Sequence, residues 1–263
     1  MGLVWTPEHK INGWAKLLSA ALVKSGSLYA IADTETTSTQ LICERTGELN
    51  RVVEMAFLFY TKGDDGVSLV PVTDSEGEHI IFHEPVNFFM ESGATKKKFN
   101  VIKKIPNDSI EIHGITEAFL LAEKASPKGG RILKEAACEF GSMIKLLLEL
   151  LVPDAAKQAA LPVYMVYHNA IFDLMYLNSE MNVCGLPPLE SYALTIDTLK
   201  EAKLLFTKKE IGNFSLDSLY EYGLANYFGE SSRIERPFHD ARTDSEILKV
   251  GLETIWMKKQ SMK

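Results

Sequence analysis

Cysteine is scarce in this chain, three residues in 263 at Cys43, Cys138 and Cys184, and none sits in a C-x-x-C spacing. Scattered and odd in number, they argue against a disulfide framework and read as reduced thiols in a cytosol-like, cytoplasmic setting. Long apolar runs are missing too. No stretch approaches the roughly 20 residues that span a bilayer, so no membrane partner is expected. The start, "MGLVWTPEHKINGWAKLLSAALVKSG", lacks a basic n-region and is interrupted by Lys16, unlike a secretory signal. It carries Gly2 and Thr6 of the N-myristoylation pattern, a short motif that chance supplies often. Positive charge is in deficit: 28 Lys and Arg against 35 Asp and Glu leave a net charge of −7. No global positive field exists to hold a polyanion, which counts against a passive nucleic-acid coat. It counts much less against an enzyme that grips phosphates through metal ions.

What is present is a core-forming composition, 46% apolar and 24% charged. Trp14, Leu17, Leu18, Ala21 and Leu22 recur at helical spacing and predict a helix over 10–24. Strands are expected at 27–33, in "RVVEMAFLFYT" (51–61) and in "HIIFHEPV" (79–86), with a turn-rich hairpin loop at 61–78. From 87 to 105 the chain is irregular and basic around "TKKKFNVIKK", which reads as a solvated face or a phosphate-steering loop. "SPKGG" breaks the chain before a helix at 131–151. A strand in "LPVYMVYHNA" (161–170) leads to a helix in "FDLMYLNSEM" (172–181), and "YALTIDTL" (192–199) is a strand entering another helix. "SLDSLYEYGL" (215–224) and "ARTDSEILKVGLETIWMKK" (241–259) close as helices. Three neighbouring strands followed by alternating strands and helices predict an α/β domain. Its five-stranded mixed sheet is antiparallel at first, then parallel, and flanked by helices. No internal repeat or linker divides it.

The acids carry the chemistry. In "SLYAIADTETTSTQ" (27–40), Asp33 and Glu35 follow an apolar run at i and i+2, so a strand projects both from one face. Two such carboxylates repel unless a proton or a cation lies between them. D-x-E alone is weak, and acids capping a strand end are the bland alternative. "VYHNAIFDLMYL" (166–177) adds Asn169 after a strand and Asp173 at a helix start, where the helix dipole by itself favours an acid. "RPFHDARTDSEIL" (236–248) adds His239 and, five residues on, Asp244. That spacing is not one helix face, so His239 falls in the loop before the helix and Asp244 in its first turns.

Taken in order, "ADTETT", "HNAIFD" and "HDARTD" resemble the three motifs of the DnaQ-like, DEDD 3′→5′ exonucleases, which include the proofreading epsilon subunit of bacterial DNA polymerase III. The resemblance covers about residues 27 to 255. Lesser matches, "VVEMAF", the H-G-I-T segment of "IPNDSIEIHGIT" (105–116), "IDTL" and "NFSLDSL", fall between the motifs in sequence. Histidine five residues before the last Asp, with Asp240 where another branch has Tyr, resembles the DEDDh branch. The resemblance implies a ribonuclease H-like fold for 27–263, with residues 1–26 a helical extension outside it. It also implies two Mg²⁺ ions per site, replaceable by Mn²⁺. Asp33 bridges both, Glu35, Asp173 and Asp244 complete their shells, and His239 is the general base. Thr36, Thr37, His113, Gly114, Ile115 and Asn169 are implied to contact the terminal nucleotide; for Ile115 and His113 a core position and a satisfied loop histidine stand equally open. Phe172 reads as core and His168 as structural.

The implied activity is hydrolysis of terminal phosphodiesters at nucleic-acid 3′ ends, DNA favoured over RNA and single strands expected, releasing nucleoside 5′-monophosphates. An RNA-trimming relative and an inactive nucleic-acid-binding module are the alternatives, and all five catalytic positions are filled. Ser38 stands where the family usually has Gly. No polymerase-binding tail is expected after the last helix, which fits a stand-alone nuclease, phage-encoded or repair-associated, better than a replicative subunit.

Overall fold

The computed structural model describes residues 8–86, 102, 104–121, 140–152, 160–236 and 239–263. The Gly2 and Thr6 pattern, most of the Lys-rich run, the "SPKGG" break and the first part of the helix expected at 131–151 lie outside the described residues.

The chain opens with helix α1 (Glu8–Ser25). Strands β1 (Leu28–Thr36), β2 (Val52–Lys62), β3 (Leu69–Pro71) and β4 (Ile81–Pro85) follow. Short helices α2 (Asn107–His113) and α3 (Glu117–Leu121) come next, then α4 (Phe140–Leu151). Strand β5 (Val163–Tyr167) runs into α5 (Ala170–Val183), and β6 (Leu194–Asp197) into α6 (Thr198–Leu205). Helices α7 (Lys208–Ile211), α8 (Leu216–Gly223) and α9 (Ala241–Ser261) close the chain.

The strands form one mixed sheet in the order β3-β2-β1-β5-β6, with β4 also on β2. β2 is antiparallel to β1, β3 and β4, whereas β5 is parallel to both β1 and β6. The loop expected at 61–78 thus contains a sixth strand. β3 and β4 pair with different stretches of the same β2 edge, Tyr60–Lys62 and Glu54–Leu58, so the sheet stays five strands wide. Three residues of strand inside a turn-rich segment are too few to show a period of two.

Alternation along β1 sorts the layers. Leu28, Ala30 and Ala32 point into a large core with α1, α4 and α5, including Trp14, Leu18, Leu22, Leu147 and Leu177. Tyr29 and Ile31 point the other way, against Ala241, Leu248 and Leu252 of α9. With the parity of Tyr29 and Ile31, Asp33 and Glu35 therefore belong to the α9 face, and Thr34 to the α5 face. α1, read from sequence as lying outside the family resemblance, contributes three side chains to the main core.

Candidate active site

Three elements supply the acids: the C-terminal end of β1 and the starts of α5 and α9. Strand β1 runs past its expected end at residue 33 to Thr36, because Glu35 still pairs with Glu54 and only then does the register shift. Asp173 and Asp244 each occupy the fourth residue of their helix, α5 and α9. An acid in a first turn suits the positive end of the helix dipole. Both helices are tied down at their starts by carboxylates. Asp197 Oδ1 accepts the Asn169 N–H at 3.2 Å beside α5, and Asp240 Oδ1 accepts the Thr243 N–H at 2.8 Å in α9.

The acids are crowded and poorly solvated. Asp173 is 3% exposed, Asp244 6% and Glu35 9%, each far below what an unpaired carboxylate tolerates. Burial first, then the charge of Asp244 and Glu54, pushes Glu35 up to about 9. Asp33 is raised by burial and then by Asp173, Glu35 and Asp244. Burial lifts Asp173 to about 7, although the Thr34 hydroxyl donates to its Oδ1 at 2.9 Å and opposes the rise. Asp244 is raised by burial against the pull of Arg236 and His239. The ligand atoms of Glu35, His239 and Asp244 all fall within 4.8 Å of one another. The charge of Asp173 raises the proton affinity of Asp33.

His239 stands at the rim with its side chain 49% exposed, and its Nδ1 is 3.0 Å from Asp244 Oδ2. Arg236 reaches the same carboxylate, with Nε 2.6 Å from Oδ1 and Nη2 2.9 Å from Oδ2. Asp244 Oδ1 nevertheless receives no well-directed hydrogen bond in its buried position. An under-satisfied buried oxygen within a set of mutually repelling carboxylates fits a hard divalent cation, which takes oxygen ligands. Glu35, His239 and Asp244 bring ligand atoms close enough together to share such an ion, and Asp33 lies within electrostatic reach of Asp173, Glu35 and Asp244.

The residues expected to meet substrate divide into two groups. Thr37 is fully buried: its hydroxyl donates to Asn50 Oδ1 at 3.1 Å and accepts the Arg51 N–H at 2.9 Å. Ile115 is 7% exposed in a cluster with Val53, Ile102, Ile105 and Leu120. Thr36 is buried and its hydroxyl donates to the Ser38 carbonyl at 2.7 Å. His113 is also buried, with Nδ1 accepting the Ile115 N–H at 3.0 Å and burial lowering its pKa. Between them Gly114 ends α2 at φ 72, a left-handed position that glycine takes without strain. Asn169 is exposed at φ 67, between β5 and α5. Phe172 packs against the core and Tyr176, and His168 bridges Thr198 Oγ1 and the Phe214 carbonyl at 2.9 Å each.

Sequence reasoning passed over three contributors. Glu54, 2% exposed and opposite Glu35, accepts the Ala241 N–H that begins α9 at 2.9 Å and meets buried His83 Nε2 at 2.9 Å. A lone acid inside the apolar run "VVEMAF" was its signal. Thr34 orients Asp173, and Arg236 faces Asp244; neither residue type stands out in sequence.

No family model matches the chain. Among curated proteins, DNA polymerase III subunit epsilon of Buchnera aphidicola subsp. Acyrthosiphon pisum (strain APS) is 26% identical over 147 residues, 56% of this chain and 48% of that protein. The chain thus spans about half the length of the curated relative it matches. Among solved structures, cell-death related nuclease 4 (CRN-4) superposes with a TM-score of 0.50 at 13% identity, over 86% of this chain and 62% of that one. The chain is similar to DnaQ-like exonucleases in sequence. The RNase domain of the yeast Pop2 protein gives a TM-score of 0.48 at 12% identity, over 98% of this chain and 86% of its own. No helix among the described residues is long and apolar enough to cross a membrane.

Proposed function

We propose that this DnaQ-like protein is a metal-dependent 3′→5′ exonuclease of the DEDDh branch, removing nucleoside 5′-monophosphates from single-stranded DNA. The observation that carries the reading is the meeting of Glu35, His239 and Asp244 within 4.8 Å, beside Asp33, whose carboxyl is raised by burial and by the charges of Asp173, Glu35 and Asp244. Asp33, Glu35, Asp173 and Asp244 would hold two Mg²⁺ ions, or Mn²⁺ in their place. When bound, such ions lower the pKa of water and stabilise the attacking and leaving oxygens of an in-line displacement.

The chain's own residues supply the rest. His239, half-exposed beside Asp244, is placed to accept the proton of the attacking water, and its ring is oriented by that carboxylate. The Thr34 hydroxyl fixes the rotamer of Asp173. Glu54 and Asp240 fix the first turn of α9, and with it Asp244. Asn169 is exposed on the solvent side of the same edge and is the side chain best placed for a terminal nucleotide. Thr36, Thr37, His113 and Ile115 shape the wall behind it through backbone and packing.

Kinship with a DNA polymerase subunit favours deoxyribose substrates. Purified protein with Mg²⁺ and a 5′-labelled single strand is expected to give a ladder shortening from the 3′ end, faster on a deoxy- than on a matched ribo-oligonucleotide. A strand that stays full length under those conditions rejects the assignment.

A further inference from the structure

Arg236 is the unexpected member of the site. Its side chain is only 16% exposed and reaches three partners at once. On the inner side its fork covers both oxygens of Asp244, at 2.6 and 2.9 Å. The same Nη2 lies against His239, in contact with Nδ1 and 3.0 Å from Nε2. On the outer side Nη1 donates to Asp217 Oδ1 of α8 at 2.6 Å, and the Asp217 side chain is 65% exposed. The inner contact is imperfect, since the close pair of Arg236 Nε and Asp244 Oδ1 lacks hydrogen-bond geometry. The outer one is well formed. The guanidinium also offsets the proton affinity of Asp33 and Glu35 as well as Asp244.

A guanidinium against both oxygens of Asp244 and a divalent ion on the same carboxylate compete, because they draw on the same oxygens and like charges a few ångströms apart in a poorly solvated site repel. We propose that Arg236 is a tethered counter-cation: in the metal-free protein it holds Asp244 and His239 together, and divalent ions enter by displacing it from Asp244 while Asp217 retains it at the rim. The proposal rests on the reading of the four acids as a metal site and adds an intrinsic competitor for it. It makes Arg236 a positioning residue that keeps the acids from springing apart until metal arrives.

The test is Mn²⁺ titration calorimetry together with thermal melting of chelated, full-length protein. Without its competitor, R236Q is expected to bind Mn²⁺ about tenfold more tightly than wild type, the scale of one charge-assisted hydrogen bond. The metal-free R236Q protein should melt below wild type, with saturating Mn²⁺ closing most of that gap. R236K, which keeps the charge but not the fork, should lie between the two and remains informative if R236Q folds poorly. Equal or weaker Mn²⁺ affinity in both variants, with D33N abolishing uptake, overturns the role of Arg236 and leaves the metal site standing. No Mn²⁺ uptake by wild type or any variant removes the site and the proposal together.

Discussion

Helix α5 carries two buried acids seven residues apart, and they meet opposite fates. Glu180, 1% exposed, is clasped by the fully buried Arg51, with Nε to Oε1 at 2.7 Å and Nη2 to Oε2 at 2.6 Å. The Val52 N–H adds a third bond at 3.2 Å, so β2 and α5 are locked together. Two turns away, Asp173 looks onto Asp33, beyond which lie Glu35 and Asp244, and the cation that reaches this group is Arg236 at its edge. At Arg51–Glu180 opposite charges meet in bidentate geometry, and the product is a fold. At the β1 edge carboxylates are gathered with their proton affinities raised, and Arg236 is the counter-charge seated on Asp244. Buried charge that the protein leaves uncompensated is the functional signal; buried charge that it neutralises is architecture.

The strongest way to break that contrast is to neutralise one acid. Asp33→Asn should abolish turnover on a labelled single strand and, by removing repulsion, raise the melting temperature of the chelated protein. A drop in melting temperature would mean that the acids support the fold as Glu180 does. Next in size, His239→Ala should lower kcat by about 10²–10⁴-fold, the range for loss of a general base, with Mn²⁺ affinity little changed. Large loss of Mn²⁺ binding in this variant would make His239 a ligand instead.

How much of this was legible in sequence follows from range. Asp33 with Glu35, Asp173 after a strand, and His239 with Asp244 lie in short local motifs whose spacing survives without coordinates. The helices and most strands follow from periodicity, and β1, β2, β4, β5 and β6 fall where alternating or apolar runs place them. The partners that hold the site are separated too far to read. Glu54 meets Ala241 across 187 residues, Thr34 meets Asp173 across 139, and Arg51 meets Glu180 across 129. Each such residue looks ordinary in its own segment, and only the register of β1 on β2 brings them into line. Thr37 and Ile115 show the converse: a motif marks their positions, but the bulge after Glu35 and the cluster around Val53 turn their side chains inward.

The matched pair gives the third prediction. Glu180→Ala leaves Arg51 charged and buried, which costs about 3–5 kcal/mol, while replacing both partners with apolar residues of similar volume should be close to neutral. Chemical denaturation measures both, and an equally large loss in the double variant would show that the pair itself, rather than its completeness, holds the fold.

The smallest expected effect is in pH. Asp173 at about 7 and Glu35 at about 9 bind protons more tightly folded than unfolded. Their stabilisation is complete below about pH 4 and is lost as pH rises through those two folded values. Melting of chelated protein should therefore fall between about pH 4 and pH 9, and saturating Mg²⁺ should flatten the fall. A chelated protein that grows more stable over that interval would contradict the raised carboxyls.

The most direct test is anomalous scattering from a crystal soaked in Mn²⁺. Peaks are predicted among the carboxylates of Asp33, Glu35, Asp173 and Asp244, with the Arg236 fork withdrawn from Asp244 towards Asp217. A soaked crystal with no peak between those carboxylates, and Arg236 still seated on Asp244, would contradict the central claim that these acids converge to bind metal.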